Sequence, residues 1–187
     1  MNKSPKQNQE AKIDDPGSAR VFFALWPNDE ESKAFERWQY KLSDLCGGRA
    51  MRIKTLHLTL VFIGEVELQQ IETLIIAAKE IRGNAFELSF SEARYWNHNH
   101  IVYAVPSIIP PQIGQLVLDL QQCIDIQQAQ MRSFMPHVTL LRNAKWNGDF
   151  LCEMEKNVWQ VKNFVLVTSV PDGAGASYHV LESFKLS

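Results

Sequence analysis

The chain predicts an α+β fold on three observations. Short β-rich runs alternate with helix-periodic segments, two neighbouring runs form a hairpin, and a His-x-Thr strand motif occurs twice. Met1 to about Ser18 is rich in Lys, Gln, Asn, Asp, Pro and Gly. Residues 1–18 are therefore expected to form a disordered tail, and 19–187 a single domain. Arg20 to Pro27 (RVFFALWP) is a β-rich run stopped by proline. Asn28-Asp29-Glu30 then starts a helix that runs through Phe35, Trp38 and Leu42 to Gly47-Gly48. His57 to Gly64 is the next strand, and Glu67 to about Ile81 carries Leu68, Ile71, Leu74, Ile75 and Ala78 at helical spacing. Phe86 to Phe90 alternates, and Ile101 to Val105 follows across a polar turn as the second arm of a hairpin. Pro110-Pro111 opens a helix with Ile113, Leu116, Val117, Leu120 and Ile124 on one side. Pro136 precedes the second motif strand. Two late strands, Val161 to Val167 and Tyr178 to Phe184, flank a turn at Pro171-Asp172-Gly173-Ala174-Gly175.

Composition narrows the function. A chain of 187 residues, 45% hydrophobic, can bury one sizeable core. A formal charge of −2 offers no general electrostatic footprint for long nucleic acid, so any nucleic-acid chemistry should concern an end rather than a tract. Cys46, Cys123 and Cys152 are odd in number, far apart and outside any CxxC pairing. That pattern points to buried packing in a reducing cytoplasm rather than to disulfides, a zinc site or a nucleophile. No apolar run is long enough to span a bilayer, and the N-terminus lacks the layout of a signal peptide.

The repeated motif carries the chemistry. His57-Leu58-Thr59-Leu60 and His137-Val138-Thr139-Leu140 each place a His and a Thr on one face of a strand and two apolar residues on the other. One such segment alone reads as a surface pair. Two, both in apolar strands, read as a two-histidine acid/base pocket in which hydroxyls can hold an anionic oxygen. His98-Asn99-His100 could suggest a metal, but without an evident third ligand a solvated turn is the better reading. Tyr95, Trp96 and Tyr103 could stack a base, although aromatics in strands more often belong to the core.

Together these residues resemble the two-histidine (2H) phosphoesterases. Within them they are most similar to the bacterial and archaeal RNA 2',3'-cyclic phosphodiesterases, also called 2'-5' RNA ligases or the LigT/ThpR group. The resemblance rests on LHLTLVFIGEV and PHVTLLR, with support from RVFFALWP and from the closing strands that carry Ser169, Gly175 and Tyr178. Two stretches depart from the family pattern: Arg49 to Leu56 lacks the expected prolines, and Glu92 to His98 lacks the expected glycine and proline.

The resemblance implies two pseudo-twofold-related lobes, each an antiparallel sheet with helices outside, enclosing a central groove. It also implies hydrolysis of an RNA terminal 2',3'-cyclic phosphate to a 2'-phosphate without metal or cofactor, with reversible 2'-5' joining as a side activity. In that scheme His57 is the general acid and His137 the general base, although the near-identical motifs do not themselves distinguish the two. Thr59, Thr139 and Arg142 bind phosphate, and Tyr178 is a substrate-binding candidate near the groove. The expected partner is an RNA bearing a cyclic end, or a cyclic nucleotide, bound by a cytoplasmic monomer without a membrane or protein partner. Two alternatives stay open. One is a 2H enzyme acting on another nucleotide phosphoester, such as a cyclic ADP-ribose phosphate or an oligonucleotide 3' end. The other is a non-catalytic nucleotide-binding module.

Overall fold

The computed structural model describes residues 17–124, 134–173 and 175–187. Its elements, in chain order, are β1 (Ser18–Leu25), α1 (Asp29–Cys46), β2 (Arg49–Ala50), a 3-10 turn (Ile53–Thr55), β3 (Leu58–Glu67), α2 (Leu68–Lys79), β4 (Phe86–Trp96), β5 (Ile101–Pro106), α3 (Pro111–Cys123), β6 (Val138–Arg142), β7 (Phe150–Val161), β8 (Asn163–Asp172) and β9 (Gly175–Lys185). The strands form one antiparallel sheet in the order β7-β4-β5-β6-β3-β1-β8-β9, with β2 paired to β6. The two motif strands, β3 and β6, are therefore central neighbours with three strands beyond each. They touch through one register pair, Leu58 with Val138. The α+β class and the antiparallel pairing match the expectation, but the two expected sheets are continuous across that pair.

Local chemistry sets the ends of the elements. Asn28 caps α1: its Oδ1 accepts from the backbone N–H of Glu30 and Glu31, and the Glu31 carboxylate accepts from Asn28 N–H in return. Gly47, at φ 62°, ends the helix. Pro111 occupies the first turn of α3, where its missing N–H costs nothing. Phe35 and Trp38 of α1 meet Phe90 of β4 and Trp159 of β7 in a cluster of edge-on and tilted rings. The Trp38 Nε1–H donates to the Glu155 carbonyl, which ties the helix to the sheet. Leu58, Val138 and Leu140 are fully buried on the helix-covered face, which leaves the His and Thr positions to the other face.

Several boundaries differ from the expectation. Ser18 opens β1 and the Gly17 carbonyl accepts from Leu68 N–H, so the domain begins before residue 19; residues 1–16 of the expected tail lie outside the described residues. β4 continues to Trp96, which places Glu92 to Trp96 in a strand. β7 was not anticipated at all. It is an edge strand whose Glu153, Glu155 and Lys156 dilute the apolar alternation that marks a half-buried strand. β8 and β9 run further toward their connection than expected, with Asp172 pairing with Gly175. Among the described residues, no helix is long and apolar enough to cross a membrane.

Candidate functional site

His57 and His137 each sit one residue before their strand, and each ring is held by the same device. The Nδ1 of His57 lies 2.7 Å from the Thr55 carbonyl, and that of His137 lies 2.9 Å from the Met135 carbonyl. A carbonyl oxygen can only accept, so in both rings Nδ1 carries the proton and Nε2 is left to exchange one. Thr55 is itself fixed by its hydroxyl, which donates to the Arg52 carbonyl across the 3-10 turn. A buried two-residue lead-in thus sets the tautomer of His57.

Both histidines, Thr59, Thr139, Arg142 and Tyr178 line one cavity of about 360 Å³. The structure therefore gathers the six residues expected to transfer protons or bind phosphate and substrate. Among the described residues the cavity wall contains no carboxylate, while Arg142 and Arg20 both reach it. Among the described residues neither arginine makes an ion pair. Close backbone packing sets the position of Arg142. A Cβ added at Gly48 would lie 2.9 Å from the Arg142 carbonyl oxygen, and Gly48 has φ 95°, so only glycine suits this crossing of β2 past the end of β6.

The two imidazoles have different surroundings. Trp26 stacks on His57 at 5.4 Å and an interplanar angle of 6°, while Phe22 at 5.0 Å and Tyr178 at 5.1 Å cover its other sides. His137 is met edge-on by Trp96 at 4.6 Å and by Tyr103 at 5.7 Å, and those two rings stack on each other at 4.1 Å. Burial pushes His57 down to about 4; nearby His137 and Arg142 lower it further, against the opposing pull of the Thr55 hydrogen bond. Burial, with help from Arg142, also lowers His137. Near pH 7 both rings of the free protein are neutral.

The sequence missed Arg20, Phe22, Trp26, Met51 and Phe62, all at or beside the cavity. β1 is buried on both faces, so its alternation does not say which face carries the site. Ser169, in β8, lines the cavity and pairs in register with Tyr178 of β9. Trp96 and Tyr103 stack on each other, Tyr103 is buried, and Tyr95 is a core residue whose hydroxyl meets His100 Nδ1 at 2.8 Å and the Ala144 carbonyl at 3.1 Å. His98 and His100 occupy the exposed turn after β4, as the sequence suggested, and no group of three potential metal ligands occurs among the described residues. The thiols of Cys46, Cys123 and Cys152 are free, and burial raises all three pKa values. Cys46 is buried as expected, but the other two are only half-buried.

Known proteins share the fold, and a family model matches the stretch that holds the first motif. The family described as LigT-like phosphoesterase matches residues 25–103, which include β3 and its histidine. The RNA 2',3'-cyclic phosphodiesterase of Escherichia coli (strain K12) is 30% identical over 131 residues, covering 67% of this chain and 72% of that protein. The crystal structure of E. coli LigT in apo form superposes with a TM-score of 0.82 at 28% identity, over 91% of this chain and 99% of that one. The same protein complexed with 3'-AMP gives 0.81 at 27% identity, with equal coverage. With this identity over most of both chains, a nearly complete structural overlap and paired histidines lining one cavity, the chain belongs to the LigT-like phosphoesterase family.

Proposed function

We propose that the protein opens 2',3'-cyclic phosphates at RNA ends to 2'-phosphates by metal-independent two-histidine catalysis. The observation that carries this reading is the pair of matched imidazoles, each fixed through Nδ1–H and each lining the same cavity as Thr59, Thr139 and Arg142. A cyclic phosphodiester between two Nε2 atoms can receive a proton on one side while water loses one on the other. The general base takes a proton from water, whose oxygen bonds to phosphorus. The P–O3' bond breaks, the general acid protonates O3', and the phosphate stays on O2'. The Thr59 and Thr139 hydroxyls and the Arg142 guanidinium hold the nonbridging oxygens as charge shifts in the transition state.

The bound anion also resolves the protonation problem. Two neutral rings cannot supply an acid, but a phosphate between them favours imidazolium on one and so brings in the required proton. By family analogy His57 is the acid and His137 the base. If the 5'-hydroxyl of a second RNA replaces water, the same steps give a 2'-5' linkage, which is the joining reaction. The protein is proposed to act as a monomer in the cytoplasm.

The test is incubation with chelator of adenosine 2',3'-cyclic phosphate, a short RNA with the same end, and a cyclic ADP-ribose phosphate. A 2'-phosphate product from the first two is expected. A 3'-phosphate product, turnover of the third compound alone, or loss of activity restored by a divalent ion would overturn the reading.

A further inference from the structure

The half of the cavity formed by β1, β8 and β9 has a chemistry that hydrolysis of the cyclic phosphate does not use. Arg20 pairs with Ser169 across β1 and β8, and Ser169 pairs with Tyr178 across β8 and β9, so a guanidinium, an alcohol and a phenol stand in one transverse row on the cavity face. The Arg20 guanidinium lies 4.9 Å over the Phe62 ring, which orients it without neutralising it. Glu65 stands opposite Arg20 in register, but its carboxylate accepts from Ser18 Oγ and makes no ion pair with Arg20. The neighbouring arginines differ. Arg94, on the opposite side of the groove, is forked onto Glu92, and Arg52 is held by Asp172 at 2.7 Å. Arg20 is thus an oriented cation facing a wall that, among the described residues, holds no carboxylate. Phe62 is three residues along β3 from Thr59, about 10 Å at strand rise. That offset sets Arg20 apart from the reacting phosphate and within reach of the next group along a single strand.

We propose that this row is a second phosphate subsite, in which Arg20, helped by Ser169 and Tyr178, holds the phosphodiester on the 5' side of the terminal nucleotide. The proposal rests on the function proposed above and extends it. The protein discriminates oligonucleotide ends from free cyclic mononucleosides by the charge one nucleotide position away.

The experiment is calorimetric titration with adenosine 2'-phosphate and adenosine 2',5'-bisphosphate, which differ only in the 5' phosphate. Wild type should bind the bisphosphate about tenfold more tightly, the worth of one charge-assisted hydrogen bond. Its log affinity should fall with log salt more steeply by about 0.7, as for one added phosphate contact. In Arg20→Gln the preference should shrink to within about twofold and the extra salt slope should vanish. Tyr178→Phe should keep the salt slope, because the charge remains. Equal affinities in wild type, a preference that survives Arg20→Gln, or equal losses for both ligands in that variant would each overturn the subsite. Wild type alone suffices for the first of these, so a variant that fails to fold does not block the test. A bisphosphate preference in a protein that turns over no 2',3'-cyclic phosphate would retain the subsite and reject the proposed reaction.

Discussion

His57 gives the most direct physical test, because its environment makes a statement about stability as well as chemistry. An ordinary imidazole titrates at 6.5, and this one is pushed down to about 4 by burial. Between those two values the unfolded chain carries a proton that the native state refuses, so stability rises with pH across that window. The contribution is fully present above about pH 6.5 and is lost as pH falls toward about 4. At about pH 5 the linkage relation gives a loss of about 2 kcal/mol for this one residue. Because the ring is only half-buried, solvent screening trims this to about 1–2 kcal/mol.

The perturbation is His57→Gln, which removes the titrating group and keeps a polar side chain of similar reach. Urea unfolding of both proteins at about pH 7.5 and about pH 5 gives four free energies. Titrating carboxylates destabilise both proteins equally, so they cancel in the difference of differences. Wild type should lose about 1–2 kcal/mol more than the variant on acidification. NMR titration of the His57 ring should find its midpoint well below 6.5. Parallel losses in the two proteins, together with a midpoint at or above 6.5, would refute the claim that the aromatic enclosure holds this ring neutral.

The other expectations concern the reaction and its scaffold. His57→Ala and His137→Ala should each slow single-turnover opening of a 2',3'-cyclic phosphate by about 10²–10⁴-fold, while Thr59→Ala and Thr139→Ala cost less because each removes one neutral hydroxyl; near-wild-type rates in either histidine variant would end the two-histidine reading. The pH profile of kcat/KM should be bell-shaped with its maximum below 6.5, since both rings are held down in the free protein, and its limbs belong to the pair jointly; a monotonic rise to alkaline pH would contradict this. Arg142→Lys should lower activity with little change in thermal stability, because a point charge replaces a planar fork at an exposed position. Gly48→Ala should lower both, because it strains a backbone at φ 95° and drives a methyl against the Arg142 carbonyl; unchanged melting would show that this crossing yields easily.

How much of this was readable from the chain follows from the range of each signal. The His-x-Thr pairs are local: alternation alone places the polar and apolar residues on opposite faces, and burial of Leu58, Val138 and Leu140 at the sheet centre agrees. The start of α1 was likewise legible, because Asn28 and Glu31 form a cap within four residues. What escaped depends on partners far along the chain. Arg20 belongs to the cavity only because β8 brings Ser169 beside it, about 150 residues later. Trp26 covers His57 from beyond the end of β1, at a position that reads simply as the residue before a proline. β7 hides for another reason. An edge strand that exposes Glu153, Glu155 and Lys156 is protected against pairing with other chains by the same charges that obscure its periodicity.

That distinction also bears on which histidine does what. The two motifs are nearly interchangeable as sequences, and their hydrogen bonds to Thr55 and Met135 repeat the likeness in three dimensions. The difference enters through strands that neither motif contains. β1 and β9 bring Phe22 and Tyr178 against His57, with Trp26 from just beyond β1 stacked on it, whereas β4 and β5 bring Trp96 and Tyr103 against His137 at steep angles. His57 is the more enclosed ring and is driven to about 4, so its imidazolium is a strong acid and is scarce in the free protein near pH 7. In the proposed assignment that imidazolium protonates the leaving alkoxide. His137 is lowered from 6.5 as well, so it too is neutral near pH 7, the form that the proposed general base requires. The asymmetry that the motifs lack therefore enters through the aromatic side chains packed around them.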